Sequence, residues 1–145
     1  MEVARRLVEQ NSYLTLATAD ADGRPWASPV WFASPSDGVF LWVSAPDSRH
    51  SRNIAARPDI AIVIFDSTVP VGGAEALYAD AVAEEVAEAE VADAVAAYSR
   101  ASEAAGARAW VSQDVLPPAP LRLYRATATE QSVLGEGDRR LPRSA

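Results

Sequence analysis

The sequence predicts a mainly β (α+β) domain: a small antiparallel barrel of six strands, with short flanking helices and one inserted helix. Three observations carry this. Short runs rich in Val, Ile, Leu, Thr and aromatics recur along the chain, and Gly, Pro, Asp and Ser clusters divide them at hairpin spacing. Only one short helical stretch crosses between strands, so the alternating strand-helix rhythm of a doubly wound sheet is missing. The third is the absence of a Gly-rich phosphate loop of the dinucleotide or P-loop type. At 145 residues and 49% hydrophobic content, residues 1–145 suffice for one domain with a full core.

The elements follow in order. Val3, Leu7 and Val8 share one face of an opening helix that ends at Asn11-Ser12. Tyr13 to Thr18 (YLTLAT) alternates as a strand, Asp20 to Gly23 is a turn, and Pro25 to Phe32 (PWASPVWF) is a second strand. Pro29 inside it cannot donate to a ladder, so this strand is an edge, a bulge, or a place where backbone faces a ligand. After Pro35-Ser36-Asp37-Gly38 comes the apolar strand Val39 to Ser44, then the helix within Ser48 to Pro58 and the strand Ile60 to Phe65. Asp66 to Gly73 is a loop and Ala76 to Ala83 a strand. Glu84 to Ala105 has the composition of an amphipathic helix stopped near Gly106. Trp110 to Pro120 reads as a proline-stiffened linker, Leu121 to Thr129 as the closing strand, and 135–145 as a polar, flexible tail.

Composition excludes several functions. A net charge of -7 argues against nucleic acid and anionic membrane surfaces as partners. Without cysteine there are no disulfides, thiolate metal sites or thiol nucleophiles, and a single histidine, His50, leaves little for a zinc site or a Ser-His-Asp triad. The basic residues other than His50 are all arginine, which removes Schiff-base lysine chemistry. No run of apolar residues approaches the ~18 of a membrane span and the amphipathic N-terminus is unlike a signal peptide, so the expected compartment is the cytoplasm.

Against this acidic background, SRHSRNIAARP at Ser48 to Pro58 stands out, with three arginines and the only histidine in one short helix. Asp47 or Ser48 can cap it. A helix N-terminus offers unpaired N–H groups and partial positive charge, and Arg49 and Arg52, three apart, lie on nearly one face. Together with Asn53 they outline a pocket for a phosphate.

The segments LTLATADADGRPWASPVWF (Leu14 to Phe32), GVFLWVSAPDSRHSRNIAARPDIAIVIF (Gly38 to Phe65) and ALYADAVAEEV (Ala76 to Val86) resemble, in order, the pyridoxamine 5'-phosphate oxidase-like group of flavin-binding split barrels. The SRH of Ser48 to His50 is the most specific part. The resemblance implies a six-stranded split barrel, a homodimer with cofactor at the subunit interface, and FMN as cofactor. It implies Ser28, Pro29, Val30 and Trp31 along the flavin ring and Ser44, Ser48, Arg49 and His50 at the phosphate. The chain departs from the true oxidase at Ala33, where a basic residue is expected, at His50 in place of Lys, and in EGDRRLPRSA, which lacks the substrate-binding Trp.

The expected function is therefore an FMN-dependent oxidoreductase acting on a small organic molecule other than the B6 vitamer. The flavin carries the redox chemistry, so no protein nucleophile is needed. Two alternatives stand beside it. The deazaflavin F420 has a longer anionic tail, for which Arg5, Arg6 and Arg57 are candidates. A non-catalytic flavin- or haem-binding protein is the other, with His50 available to iron. Trp110 is the candidate wall of the substrate pocket, and Trp26, Trp31, Phe40 and Trp42 are the aromatics from which a dimer interface would draw.

Overall fold

The computed structural model describes residues 2–143. Helix α1 (Glu2–Gln10) leads into β1 (Tyr13–Ala19), which a tight turn joins to β2 (Pro25–Trp31). Asp20 makes that turn: its carbonyl accepts the Gly23 N–H at 2.9 Å, and its carboxylate accepts the Asp22 and Arg24 N–H groups. Gly23 sits at φ 84°, where a side chain would be strained. Then come β3 (Ala33–Ser36), β4 (Val39–Ser44), α2 (Arg49–Ala56), β5 (Asp59–Phe65), β6 (Ala76–Glu85), α3 (Glu88–Ala104), a 3₁₀ turn (Ser112–Asp114), β7 (Arg122–Leu134) and β8 (Arg140–Pro142).

All pairings are antiparallel, in the order β2-β1-β5-β6-β7-β4-β3 with β8 on β7. The sheet curls until β2 lies beside β4 without pairing with it, and this is the split. Of the three roles open to a strand containing Pro29, the structure assigns the edge. Inside sit Leu14, Leu16, Phe40, Trp42, Ile62, Ile64 and Leu77.

The six expected strands are all present, and among the described residues two short ones, β3 and β8, join them. Four other expectations are corrected. The expected Pro35–Gly38 turn is partly the short strand β3, which bulges where it meets β4. The 135–145 segment, read as a flexible tail, returns as β8, with Val133 opposite Leu141; residues 144 and 145 lie outside the described residues. Glu84 and Glu85 belong to β6 rather than to the helix, because they pair with Arg125 and Tyr124 on β7. Phe40 and Trp42 are not available to an interface, since both are fully buried in this one chain, and Trp42 stacks on Tyr124 at 6.0 Å.

The apolar continuity of VFLWVS now has its cause. One face of β4 sends Phe40 and Trp42 into the barrel, while Leu41 faces a second apolar cluster in which Val91, Val95 and Tyr98 of α3 meet Val115 and Leu123. A strand covered on both sides loses its polar alternation.

Candidate functional site

Ser44 ends β4 and α2 begins five residues later, so the turn between them brings the helix N-terminus to the split beside β2. Ser48 is the N-cap of α2: its hydroxyl accepts the Ser51 N–H and donates to the Ser51 hydroxyl at 2.8 Å. His50 lies at the centre. Its Nε2 meets the Ser44 hydroxyl at 2.8 Å and that of Ser48 at 3.3 Å, while its Nδ1 meets the Ser28 hydroxyl of β2 at 3.2 Å. Partial burial pushes the imidazole below its ordinary value near 6.5, which favours the uncharged ring.

Arg49, exposed at the first position of α2, lays its guanidinium over the Trp26 indole, 4.2 Å from the ring centroid. Four of the residues expected at the phosphate end (Ser44, Ser48, Arg49 and His50) thus gather with Ser28 from the ring strand. The remaining three of that strand diverge. Val30 is buried in the core, Pro29 is exposed at the sheet edge, and Trp31 turns to the outer face, where it packs edge-on against Tyr98 at 5.4 Å.

The two residues added from helix periodicity separate. Asn53 is buried and donates its side-chain amide to the Thr18 hydroxyl at 3.0 Å, which ties α2 to β1. Arg52 is exposed, and its guanidinium makes no hydrogen bond or ion pair among the described residues. Trp110 lies with Tyr98 at 5.7 Å, donates its backbone N–H to Ser99 Oγ at 2.8 Å, and carries the Arg108 guanidinium over one face at 4.0 Å. A flat ligand could stack on that face only by displacing Arg108. Burial pushes the Tyr98 phenol up to about 12.

Sequence reasoning missed Ser51 and Trp26 as members of the site. Ser51 carried a signal, the spacing of an N-cap and its N3 residue. Trp26 carried none, because its partner lies 23 residues along the chain and across the barrel split. The arginines considered for a long anionic tail are engaged elsewhere. Arg6 forms a forked pair with Glu75 at 2.9 and 3.1 Å, Arg57 donates to the Asp20 and Ala21 carbonyls, and Arg5 pairs with Glu9 at 3.9 Å. A cavity of about 240 Å³ between α1, the β3–β4 turn and β7 shares no residue with the His50 cluster. No helix of the described residues is long and apolar enough to cross a membrane.

Comparison with known proteins gives the same fold. The haem oxygenase HutZ of Vibrio cholerae is 34% identical over 58 residues, 40% of this chain and 32% of HutZ. A haem-binding protein of Mycobacterium smegmatis superposes with a TM-score of 0.75 at 23% identity, covering 99% of this chain and 57% of that one. An F420 reductase superposes at 0.64 with 22% identity, over 88% of this chain and 94% of the reductase. The chain therefore spans about a third of the curated relative it matches and just over half of the mycobacterial structure. At such identities the superpositions speak for the fold alone. The family model for pyridoxamine 5'-phosphate oxidase matches residues 1–132, nearly the whole chain, including every strand of the barrel through most of β7, and on that match the chain belongs to the pyridoxamine 5'-phosphate oxidase family.

Proposed function

We propose that this chain binds FMN along β2 and α2 and serves as a flavin-dependent oxidoreductase for a small organic substrate. The observation that carries this is the convergence of Ser28, Ser44, Ser48 and His50 at the N-terminus of α2, beside the unpaired charge of Arg49. The donor set suits a phosphate. Hydroxyls that bond to His50 and, at Ser48 and Ser51, to one another can rotate to donate outward, the imidazole supplies an N–H, and the first turn of α2 adds backbone N–H groups and its dipole. Arg49 supplies the full positive charge.

The ring would lie along the open edge of β2, where backbone near Ser28 and Pro29 faces it and Trp31 closes one end. When bound, FMN supplies hydride transfer at its N5, and the protein orients it and limits water. The α3 segment with Trp31, Tyr98 and Trp110 is the wall nearest the substrate in this reading.

With Arg6 and Arg57 committed to other partners, the cluster supplies charge for one phosphate better than for the extended anionic tail of F420. Haem is a second reading, favoured by the likeness to HutZ and to the mycobacterial haem-binding protein. The hydroxyls around His50 and the charge of Arg49 beside it suit a phosphate better than iron. Titration of purified protein with FMN, F420 and haem, each followed by its own absorption bands, tests these readings. FMN is expected to bind tightest, and haem binding with no FMN binding would sink the proposal.

The cofactor reading carries a homodimer with it. β2 is an open edge, and Tyr13 on β1 and Trp26 on β2 are 61% and 40% exposed beside it, where a second copy would cover them. Light scattering at micromolar concentration should return twice the 15.4 kDa chain mass. A monomer with FMN bound would refute the dimer and leave the cofactor assignment intact.

A further inference from the structure

We propose that Trp26 is a positioning residue for the phosphate site: its indole face holds the Arg49 guanidinium in place without consuming the hydrogen-bond donors of that group. The inference rests on the phosphate reading above and adds a residue to it.

Trp26 is tied to α2 in two ways. Through the backbone, Asn53 of α2 donates to the Thr18 hydroxyl, and that hydroxyl donates to the Trp26 carbonyl at 3.4 Å. Through the side chain, the ring covers Arg49 at 4.2 Å. Two residues on, and so on the same face of the strand, Ser28 meets His50, the next residue of the helix. Successive residues of one strand face thus hold successive residues of the first helical turn.

Trp26 belongs to neither apolar cluster and stays 40% exposed, so core packing does not account for it. A long arginine at a helix start is otherwise free to sample many rotamers. A carboxylate could restrain it, but would neutralise the charge and occupy the fork. An aromatic face attracts the cation from below and leaves the in-plane N–H groups directed outward. The charge of Arg49 reaches Asp20, whose carboxylate is already occupied by the backbone N–H groups of Asp22 and Arg24.

The test compares FMN with riboflavin, which has the same ring and no phosphate, in wild type, Trp26→Phe and Trp26→Leu. Trp26→Leu should lose about two- to fivefold in FMN affinity, the range of an exposed cation–π contact, with riboflavin unchanged, and Trp26→Phe should keep most of it. In the protein without cofactor, NMR should show the Arg49 side-chain protons shifted upfield by the indole, and this shift should vanish in Trp26→Leu. Equal losses for FMN and riboflavin, unchanged FMN affinity, or an absent upfield shift would each overturn the role of Trp26. Failure of wild type to bind FMN at all would overturn the cofactor reading, and the positioning role with it.

Discussion

Arg49→Ala is expected to weaken FMN binding roughly tenfold or more, because a charge-assisted hydrogen bond contributes about 1.5–3 kcal/mol and a guanidinium makes up to two to one phosphate. The fold should tolerate the change. Arg49 is exposed, ends in no ion pair among the described residues, and touches the protein through the Trp26 ring. Melting temperature should therefore stay close to that of wild type while a fluorescence-quenching titration records the loss. Arg52→Ala serves as the contrast. It removes the same charge one helical turn further from the hydroxyl cluster, and its effect should be smaller and should fade with added salt. Equal affinity in wild type and Arg49→Ala would remove Arg49 from the phosphate and leave the hydroxyls and helix dipole as the anchor.

The second large effect is on stability. Tyr98 is buried between Trp31 of β2 and Trp110 beyond α3, edge-on to both, and forms the aromatic link between the helix and the flank of the site. Truncating a buried aromatic to alanine costs about 3–5 kcal/mol, so Tyr98→Ala should lower the denaturation midpoint steeply. Tyr98→Phe keeps the ring contacts and should stay within about 1.5 kcal/mol of wild type by chemical denaturation, as shape-conserving changes do. The Ala variant should also detach Trp110 from its partner, visible as a change in tryptophan emission before global unfolding. A Tyr98→Ala protein as stable as wild type would mean that the other contacts of α3, those of Val91 and Val95 among them, hold the helix without the aromatic link.

The strands and their order along the chain were legible because β-branched and aromatic runs at hairpin spacing are local properties, and so was a cap at Asp47 or Ser48, of which the structure uses Ser48. The SRH run and the segments around it also carried the family, which the match over residues 1–132 bears out. What local patterning could not supply was which strands lie across the split from one another. That meeting puts Ser28 on His50 and Trp26 under Arg49, and the outward turn of Trp31 follows from α3 covering that flank of the barrel. Periodicity put Asn53 on the same helix as Arg49 and Arg52. Only packing sent it inward to Thr18, because a buried amide must find a partner and β1 supplies one. The extra strands β3 and β8 were hidden for the same reason: each is short, and each exists by pairing with a longer neighbour, β4 or β7, which the tertiary fold brings alongside. The sequence by itself thus determined the kinds of element and the chemistry available, and the tertiary structure decided which of those groups share one site, since contacts across the split depend on the closure of the whole sheet.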